Sequence, residues 1–327
     1  MTRVLILGGG GMVGQKLAAR LMTSGLKDDP TPDITLFDMG FPPGGVAGPA
    51  QMTGNLGDPD TATRLAALKP DIIFHLAAIV SGESETNFEK GWAINMMSMW
   101  HLLEALRHEH LRSAGAYVPK MVFTSSIAVF GAPYPDQIGD EFLSAPQTSY
   151  GAQKAICELM VTDFSRKGFI DGMSLRLPTI CVRPGKANLA ASSFFSGIIR
   201  EPLNGMEAIL PVPDTVRHWH ASPRSAAGFL VHAAALDTER LNGRRALSLP
   251  GVSCTVAEQI EALRRAAGQG AVDLIRPQPD AAVMKIVEGW PRDFNPERAV
   301  ALGFRAEESF DEIVQVYINE DLPNATV

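Results

Sequence analysis

A glycine-rich turn close to the N-terminus constrains the fold more than any other feature of this sequence. The apolar run Val4–Leu7 is followed directly by the stretch Gly8–Gly14, in which a segment of helical periodicity begins. In a strand–turn–helix unit, such glycines allow a tight turn, let a phosphate group approach the backbone and let the helix pack closely on the strand. The turn therefore predicts a pyrophosphate at the N-terminus of the helix, with a glycine-rich turn that binds no ligand as the alternative. The residues predicted to hold the pyrophosphate are Gly8, Gly11, Met12, Val13 and Gly14.

Short apolar runs alternate with segments of helical periodicity through the first half of the chain. Continuous apolar strands separated by helices are typical of a parallel sheet that is covered on both faces. We therefore predict an α/β fold with a Rossmann-type, doubly wound parallel sheet. The predicted strands are Val4–Leu7, Ile34–Phe37, Ile72–Leu76, Met121–Thr124 and Ser174–Leu177, and the predicted helices are Val13–Thr23, Thr61–Leu68, Phe88–His108 and Tyr150–Lys167.

The second predicted strand ends at Asp38, which lies 24 positions after Gly14. At this place in a dinucleotide-binding unit, a carboxylate accepts hydrogen bonds from the ribose hydroxyls of adenosine. The residues from Met39 to Val46 include no Arg or Lys that would neutralise a 2′-phosphate, so NAD is favoured over NADP. The alternative is that Asp38 is an ordinary acidic residue in a solvated turn.

The regular alternation stops after the last predicted strand, and segments rich in glycine, proline and polar residues follow. Two motifs of the form Ser/Thr-x-x-Glu, which begin at Thr255 and Ser309, have the pattern of capping boxes and predict helix starts. We expect residues 1–180 to form an NAD-binding domain and residues 181–327 to form a smaller, α-rich substrate-binding domain. Residues 225–250 are expected to return to the first domain.

The composition limits the partners that the chain can bind. Its 327 residues carry a formal net charge of −7, which disfavours nucleic acid because a polyanion would be repelled. Three cysteines occur, Cys157, Cys181 and Cys254, without a C-x-x-C pair, which predicts buried thiols in a reducing environment. No apolar stretch approaches the roughly 20 residues of a membrane span, so we expect a cytoplasmic protein that does not bind membranes.

Tyr150 and Lys154 lie four residues apart near the start of a predicted helix, so their side chains share one helix face. A nearby ammonium group favours the phenolate form of tyrosine, and such a pair can accept the proton of an alcohol while a hydride leaves. The spacing alone is a weak signal, since an exposed tyrosine with an unrelated lysine would give the same pattern. The stretch Met121–Gly131 strengthens it, because an apolar strand there ends in hydroxyl residues. Carboxyl ends of parallel strands bind the ligands of such sheets, so we expect Ser126 near the cofactor.

Taken together, these motifs resemble those of the extended short-chain dehydrogenase/reductases, the NAD-dependent epimerase/dehydratase group, over essentially the whole chain. The resemblance implies bound NAD, with Tyr150 as the general base and Ser126 as the hydroxyl that orients the substrate. It implies that Lys154 lowers the pKa of the tyrosine and holds the nicotinamide ribose. It also implies a homodimer formed through the helices predicted at Phe88–His108 and Tyr150–Lys167. Further cofactor contacts implied by the resemblance are Asn55, Leu56, Leu76, Ala77, Ala78, Asn95 and Pro178.

The sequence departs from two branches of this family. Ile127 and Ala128 follow Ser126 where the 4,6-dehydratases carry an Asp-Glu pair, which disfavours the elimination of water. The stretch Ser222–Arg224 stands where nucleotide-sugar epimerases usually carry an acidic motif, which weakens the interpretation as a sugar-nucleotide enzyme.

Loop residues indicate the class of substrate. The segments Arg183–Lys186, Ala190–Ser196 and Arg200–Leu203 resemble the sugar-acid dehydrogenases of the family. This resemblance implies NAD-dependent oxidation of the C2 hydroxyl of a small sugar acid. A guanidinium group suits the carboxylate of such a substrate because it can donate two parallel hydrogen bonds. The candidate substrate-binding residues are Ser81, Ser126, Arg183 and Arg217.

Two other functions stay open at this stage. A nucleotide-sugar epimerase would use the same serine, tyrosine and lysine but would keep its NAD tightly bound. A regulatory sensor would bind NAD without chemistry, and the presence of all three residues argues against it. A metal site is not predicted, because His218 and His220 share one side of a strand without an evident third ligand.

Overall fold

The computed structural model describes residues 1–185 and 192–322, so that Lys186 and Ala190 lie outside the described residues. The strands are β1 (Arg3–Leu7), β2 (Asp33–Asp38), β3 (Ala50–Thr53), β4 (Ile72–His75), β5 (Lys120–Ser126), β6 (Ile138–Gly139), β7 (Asp171–Leu177), β8 (Thr179–Ile180), β9 (Ala208–Leu210), β10 (Arg217–Ala221), β11 (Ala246–Ser248), β12 (Val252–Thr255), β13 (Ile275–Pro277) and β14 (Phe294–Asn295). The helices are α1 (Met12–Ser24), α2 (Pro59–Ala67), α3 (Ser81–Thr86), α4 (Phe88–Gly91), α5 (Ser98–Arg112), α6 (Ser149–Arg166), α7 (Ser193–Leu203), α8 (Pro223–Ala235), α9 (Val256–Ala267), α10 (Gln269–Val272), α11 (Ala281–Glu288), α12 (Glu297–Ala301) and α13 (Phe310–Glu320). In this described part of the chain, no helix is both long enough and apolar enough to cross a membrane.

Seven strands form one sheet in the order β11-β7-β5-β4-β1-β2-β3. Parallel pairing joins β1 to β2 and to β4, β2 to β3, and β4 to β5. From β1 the chain continues to β2 on one side, and it later returns to β4 on the other side of β1. This reversal creates a switch point at the carboxyl ends of β1 and β4, which is where open α/β sheets bind ligands. The predicted Rossmann-type, doubly wound sheet is confirmed.

The apolar runs that predicted the strands form the core of this sheet. Val4–Leu7 in β1 and Met121–Phe123 in β5 are all buried, as expected for strands covered on both faces. Helices α2, α5 and α6 contribute Leu65, Leu103 and Val161 to the same buried cluster. The sheet therefore provides a rigid support for the loops at its carboxyl edge.

The chain divides into two compact units. The first unit comprises residues 1–129, 148–176 and 227–247, and the second comprises residues 130–147, 177–226 and 248–327. The second unit thus includes residues 130–147, a stretch that the sequence analysis placed inside a continuous domain. Its strand β6 pairs with β14, and a partner so distant along the chain leaves no local sequence signal.

Among its described residues, the second unit contains three small sheets, ordered β12-β10-β8, β13-β9 and β14-β6. Its apolar core includes residues of α7, α9 and α13. A complete capping box begins α9, in which Thr255 and Glu258 each bond the other's backbone N–H. At the start of α13, Ser309 accepts from the N–H of Glu312, while the Glu312 carboxylate accepts from the N–H of Glu308. Both motifs therefore begin helices, although only the first forms the reciprocal pair.

His218 and His220 lie buried on β10, and of their four ring nitrogens only His220 Nδ1 has no hydrogen-bond partner in the described part of the chain. The ring of His218 lies between Thr179 Oγ1 at 2.7 Å and the Pro291 carbonyl oxygen at 2.9 Å, and Gln259 Nε2 lies 2.9 Å from His220 Nε2. Burial lowers the pKa of His218 to about 4 and that of His220 well below its usual value, so both rings are neutral at pH 7. Within residues 1–185 and 192–322, no group of three or more His, Cys, Asp or Glu is arranged to hold a metal ion.

The three cysteines are free thiols and all are buried, as the sequence predicts. Burial raises the pKa of each of them to about 12. At neutral pH they are therefore unreactive thiols that fill space in the core.

Candidate active site

The glycine turn lies at the carboxyl end of β1, against the loop that follows β4. Gly8 has a φ of +85°, and a Cβ atom at this position would lie 2.7 Å from the backbone N of Ala77. A Cβ on Gly14 would collide with the carbonyl oxygen of Gly8. Gly11 differs, because it is exposed and a Cβ there would meet only the Gly8 oxygen, at 3.4 Å. Gly8 and Gly14 are therefore required for packing, whereas Gly11 leaves space for a ligand.

The first turn of α1 has the features of an anion site. Gly11 is the N-cap and offers no side chain to accept from the first N–H groups of the helix, and the first turn contains no acidic residue. The N–H groups of Met12 and Val13 thus lie at the positive end of the helix dipole without a capping side chain. A diphosphate fits these donors, as the sequence predicts for this turn.

Asp38 ends β2 beside the glycine turn. Its Oδ2 accepts from the N–H of Gly10 over 2.9 Å, and its Oδ1 accepts from the N–H of Met39 over 2.7 Å. These bonds fix the carboxylate, and each oxygen keeps a lone pair that can accept from a ribose hydroxyl. The N–H of Gly54 donates to the Asp38 carbonyl oxygen and brings the loop with Asn55 to the same edge.

The remaining predicted cofactor contacts of the first unit lie in loops at this edge of the sheet. The N–H of Leu76 donates to the Leu7 carbonyl oxygen over 2.8 Å, which holds the Leu76–Ala78 loop beside the glycine turn. Asn55 accepts from the N–H of Gly57 over 2.9 Å, and the neighbouring Leu56 is buried. The glycine turn, Asp38 and these loops therefore lie together at the edge of the sheet where the sequence predicts the dinucleotide.

The predicted catalytic residues come from β5 and α6, which are neighbours in the first unit. Ser126 is the last residue of β5, and its Oγ accepts from the N–H of Ala128 over 3.1 Å. Thr148 caps α6 by accepting from the N–H of Gly151, so Tyr150 lies in the first turn of that helix. Tyr150 is half-buried, and its ring centroid lies 5.6 Å from Lys154 Nζ.

Lys154 is almost completely buried beneath this tyrosine. Its Nζ donates to the Thr124 carbonyl oxygen over 2.8 Å and lies 4.7 Å from the ring centroid of Phe123. Burial lowers the pKa of this lysine from its usual 10.5 to about 8. The ammonium form therefore prevails at pH 7 and places a buried cation beside the Tyr150 ring.

Asn95 is buried, and its side chain serves the protein rather than an open site. Its Oδ1 accepts from the N–H of Ile79, and its Nδ2 donates to Ile79 O, Ser84 Oγ and Gln153 Oε1. Asn95 lies in the π-helical turn Trp92–Met97, which interrupts the single helix predicted over residues 88–108. These bonds hold the loop that precedes α3, and the cofactor contact of Asn95 stays a prediction.

Two polar residues of α6 were missed by the sequence analysis. Gln153, which directly precedes Lys154, is fully buried and accepts the bond from Asn95. Glu158, one turn after Lys154, is also buried and forms an ion pair with Arg176. The available signal for Glu158 was that it lies four residues after Lys154 and therefore on the same helix face, whereas the position of Gln153 gave no such signal.

The predicted substrate residues fall in both units. Ser81 is the first residue of α3 in the first unit, and Pro178, predicted to contact the cofactor, directly follows β7 in the second unit. In the second unit, Arg183 Nε donates to the Ile180 carbonyl oxygen over 2.9 Å. Arg217 donates to the Ser253 carbonyl oxygen and lies 3.3 Å from the Glu258 carboxylate.

Comparison with known proteins supports the family that the motifs indicate. The model of the NAD dependent epimerase/dehydratase family matches residues 4–221. The chain is 45% identical to a D-erythronate dehydrogenase of Cupriavidus necator, covering 97% of this chain and 98% of that protein. It is 37% identical to a D-erythronate dehydrogenase of Haemophilus influenzae, covering 98% of this chain and 100% of that protein.

Solved structures share the fold over nearly the whole length. One described as the nucleoside-diphosphate-sugar epimerase from Agrobacterium tumefaciens is 52% identical, with a TM-score of 0.93 and coverage of 98% of this chain and 95% of that chain. The L-threonine dehydrogenase of Clostridium difficile is 19% identical, with a TM-score of 0.85 and coverage of 100% and 99%, and it supports the fold alone. From its motifs, its sheet and these matches, the chain belongs to the NAD-dependent epimerase/dehydratase family of extended short-chain dehydrogenase/reductases and is an NAD-dependent enzyme.

Proposed function

We propose that this enzyme oxidises the C2 hydroxyl group of a small sugar acid, in the first place D-erythronate, to the 2-oxo acid. The observation that carries the proposal is the placement of Tyr150 and Lys154 on one face of α6, with Nζ 5.6 Å from the tyrosine ring centroid. The two D-erythronate dehydrogenases that match nearly the full length support a sugar acid as the substrate and dehydrogenation as the reaction.

Each of the three polar residues has a distinct task in this proposal. The Tyr150 phenolate accepts the proton of the C2 hydroxyl group as the carbon–oxygen double bond forms. Ser126 holds the reacting oxygen, and the Lys154 ammonium group stabilises the phenolate and bonds the nicotinamide ribose. Bound NAD supplies the acceptor for the hydride that leaves C2. The products are the 2-oxo acid, NADH and the proton that Tyr150 later releases.

The substrate carboxylate requires a cationic partner, and we assign this task to Arg183 or Arg217. Both guanidinium groups have part of their donors engaged by protein oxygen atoms, which fixes their position. An Arg183→Met or Arg217→Met variant is expected to raise the KM for the sugar acid at least tenfold, with unchanged affinity for NAD. A variant whose KM stays at the wild-type value excludes that arginine.

The helices α5 and α6 present apolar side chains to solvent in the first unit. Trp100 on α5 is 42% exposed, and Leu159 on α6 is 70% exposed. We propose that these helices form the contact of a homodimer, because the removal of their large apolar side chains from water would stabilise the dimer.

A nucleotide-sugar epimerase is the second candidate. The Agrobacterium tumefaciens structure that is 52% identical carries that description, and this observation favours it. Against it, Ser222–Arg224 replaces the acidic motif that such epimerases usually carry. The two functions differ in their net chemistry, since an epimerase returns its hydride and releases no NADH.

The test compares the two reactions with one preparation of the full chain. NADH formation is followed by absorbance with D-erythronate, L-erythronate and D-threonate, and UDP- and GDP-sugars are assayed for epimers by NMR. D-erythronate deuterated at C2 is expected to react more slowly by a primary isotope effect, and the product is expected to persist as a 2-oxo acid. A 3-oxo product, which loses carbon dioxide, would show that C3 is the reacting carbon. NADH formation with none of the sugar acids, together with an epimerised nucleotide sugar, would replace the proposal by the second candidate.

A further inference from the structure

A buried ion pair lies one helical turn beyond Lys154. The Glu158 carboxylate accepts from Arg176 Nε over 2.9 Å and from Arg176 Nη2 over 2.7 Å, with both side chains largely removed from solvent. The same carboxylate accepts from Ser125 Oγ over 2.6 Å. Glu158 therefore joins α6 to β7 and to β5, and Ser125 directly precedes Ser126.

Lys154 and Glu158 share one face of α6, because they are four residues apart. Both side chains are buried, so solvent screens their interaction little. Burial lowers the pKa of Lys154, and Cys157 and then Glu158 act in the opposite direction. Because the Cys157 thiol is neutral in the range where the lysine titrates, Glu158 is the negative charge of the two. Arg176 is the buried cation that pairs with the Glu158 carboxylate.

Two other titratable groups around Lys154, His75 and Cys157, are neutral in the pH range where it titrates. On β4, burial and the lysine charge lower the pKa of His75 to about 3. On α6, burial raises the pKa of Cys157 to about 12. Tyr150 is the group whose phenolate the lysine stabilises, and β5 faces Nζ with the Thr124 carbonyl oxygen and the Phe123 ring. Glu158 is thus the carboxylate, and Arg176 the second cation, that set the local field.

We propose that Glu158 is a positioning residue of the active site, whose buried carboxylate pairs with Arg176 and, from one helical turn away, holds Lys154 in its charged form. A bare lysine in this interior would lose its proton more readily, and an uncharged amine would not stabilise the Tyr150 phenolate. Arg176 limits the effect of Glu158 by drawing on the same carboxylate. The inference rests on the proposed function for its catalytic meaning, but the charge of Lys154 can be measured without any substrate.

The test uses two variants that break the same ion pair from opposite sides. Glu158→Gln removes the anion and leaves Arg176 as a buried cation, so the pKa of Lys154 is expected to fall by about one pH unit or more. Arg176→Met removes the competing cation and leaves Glu158 charged, so the pKa of Lys154 is expected to rise. The readout is the NMR titration of Lys154 Cε in the apo protein labelled with ¹³C-lysine, with the signal assigned from a Lys154→Arg variant.

If the ion pair is merely structural, the pKa of Lys154 shifts in the same direction in both variants or does not shift. Either outcome overturns the proposal. If Arg176→Met does not fold, the Glu158→Gln/Arg176→Met double variant takes its place, and the pKa of Lys154 must be higher in it than in Glu158→Gln. Asp163→Asn is the matched control, since it removes a carboxylate from the same helix at a side chain that is 60% exposed. It is expected to leave the titration of Lys154 unchanged.

The second measurement is the pH dependence of kcat, at the alkaline side where kcat falls. This fall is expected to move to lower pH in Glu158→Gln and to higher pH in Arg176→Met. If the pKa of Lys154 shifts in opposite directions in the two variants but the protein turns over no sugar acid, the proposed function is wrong and this inference is supported. Turnover of a sugar acid, together with a Lys154 titration that neither variant shifts, would support the proposed function and overturn this inference.

Discussion

The side-chain amide of Asn95 donates to Gln153 Oε1 over 2.8 Å, and this bond ties the π-helical turn to the helix that bears Tyr150 and Lys154. Asn95 also bonds both backbone groups of Ile79, close to Ser81.

Replacing Gln153 by Leu removes the shortest of the three acceptor contacts of Asn95 Nδ2, together with Gln153 Nε2, which is buried without a partner. Because Asn95 keeps two acceptors, we expect the free energy of unfolding to fall by only about 1 kcal/mol, and the KM for the substrate to rise because the loop with Ser81 loosens. Denaturant titration and steady-state kinetics measure the two effects. Gln137→Leu is the control, since this glutamine is exposed, and a change of no more than about 0.5 kcal/mol is expected there. Equal stability of both variants would contradict the role given to Gln153.

Alanine substitutions of Gly11 and Gly14, in the first turn of α1, are expected to have different effects. In Gly14→Ala the new Cβ meets the Gly8 carbonyl oxygen, so a loss of about 1–3 kcal/mol in stability is expected. In Gly11→Ala the new Cβ has room in the protein but occupies the space proposed for the pyrophosphate. The Tm should then stay near the wild-type value while the Kd for NAD rises at least tenfold. Thermal unfolding and calorimetric titration separate the two, and tight NAD binding by Gly11→Ala would contradict the placement of the phosphates.

Much of the fold could be predicted because its signals are local. The strand, glycine turn and helix around Gly8–Gly14, and the strand that ends at Asp38, are each specified within a dozen residues. The links within the site are different, since Asn95 and Gln153 are 58 positions apart and Glu158 and Arg176 are 18 positions apart. A polar residue on a helix reads as a surface residue until its partner is known.

The π-helical turn shows the same limit. Residues 88–108 have the period of one helix, and propensity gives no sign of the interruption at Trp92–Met97. The turn rotates Asn95 into the core, where four hydrogen bonds to groups of three residues hold it. These bonds come from tertiary structure, which overrides local preference.

Asp38 is expected to set the choice between NAD and NADP. Asp38→Asn keeps an oxygen to accept from the N–H of Gly10 but removes the negative charge that would repel a 2′-phosphate. We expect weaker NAD binding by about 1–3 kcal/mol and a preference for NAD over NADP that falls at least tenfold. Kd values for both dinucleotides measure this. Asp33→Ala, at the exposed start of the same strand, is expected to change neither value, and an unaltered preference in Asp38→Asn would remove Asp38 from the ribose site.

The proposed homodimer predicts a charge-sensitive contact at Leu159. Leu159→Glu places a carboxylate on the face of α6 that we assign to the partner, so the dimer is expected to dissociate at micromolar concentration. The monomer should stay folded, because the wild-type side chain is already 70% exposed. Sedimentation velocity gives the mass, with Met206→Glu as a control at an exposed apolar residue of the second unit. A wild-type protein that sediments as a monomer would end this assignment.

Tyr150→Phe separates the chemistry from the binding of NAD. The ring remains, but the oxygen that accepts the substrate proton is absent, so kcat is expected to fall by about 10²- to 10⁴-fold. The Kd for NAD should change little, because the glycine turn and Asp38 are untouched. Tyr117→Phe is the matched control: its hydroxyl group donates to the Pro70 carbonyl oxygen over 2.8 Å, and its loss should cost about 1 kcal/mol of stability without slowing turnover. Steady-state kinetics and calorimetric titration of the three proteins measure these effects. Turnover of Tyr150→Phe within tenfold of the wild type would exclude Tyr150 as the general base, since no phenol would then be needed to take the proton.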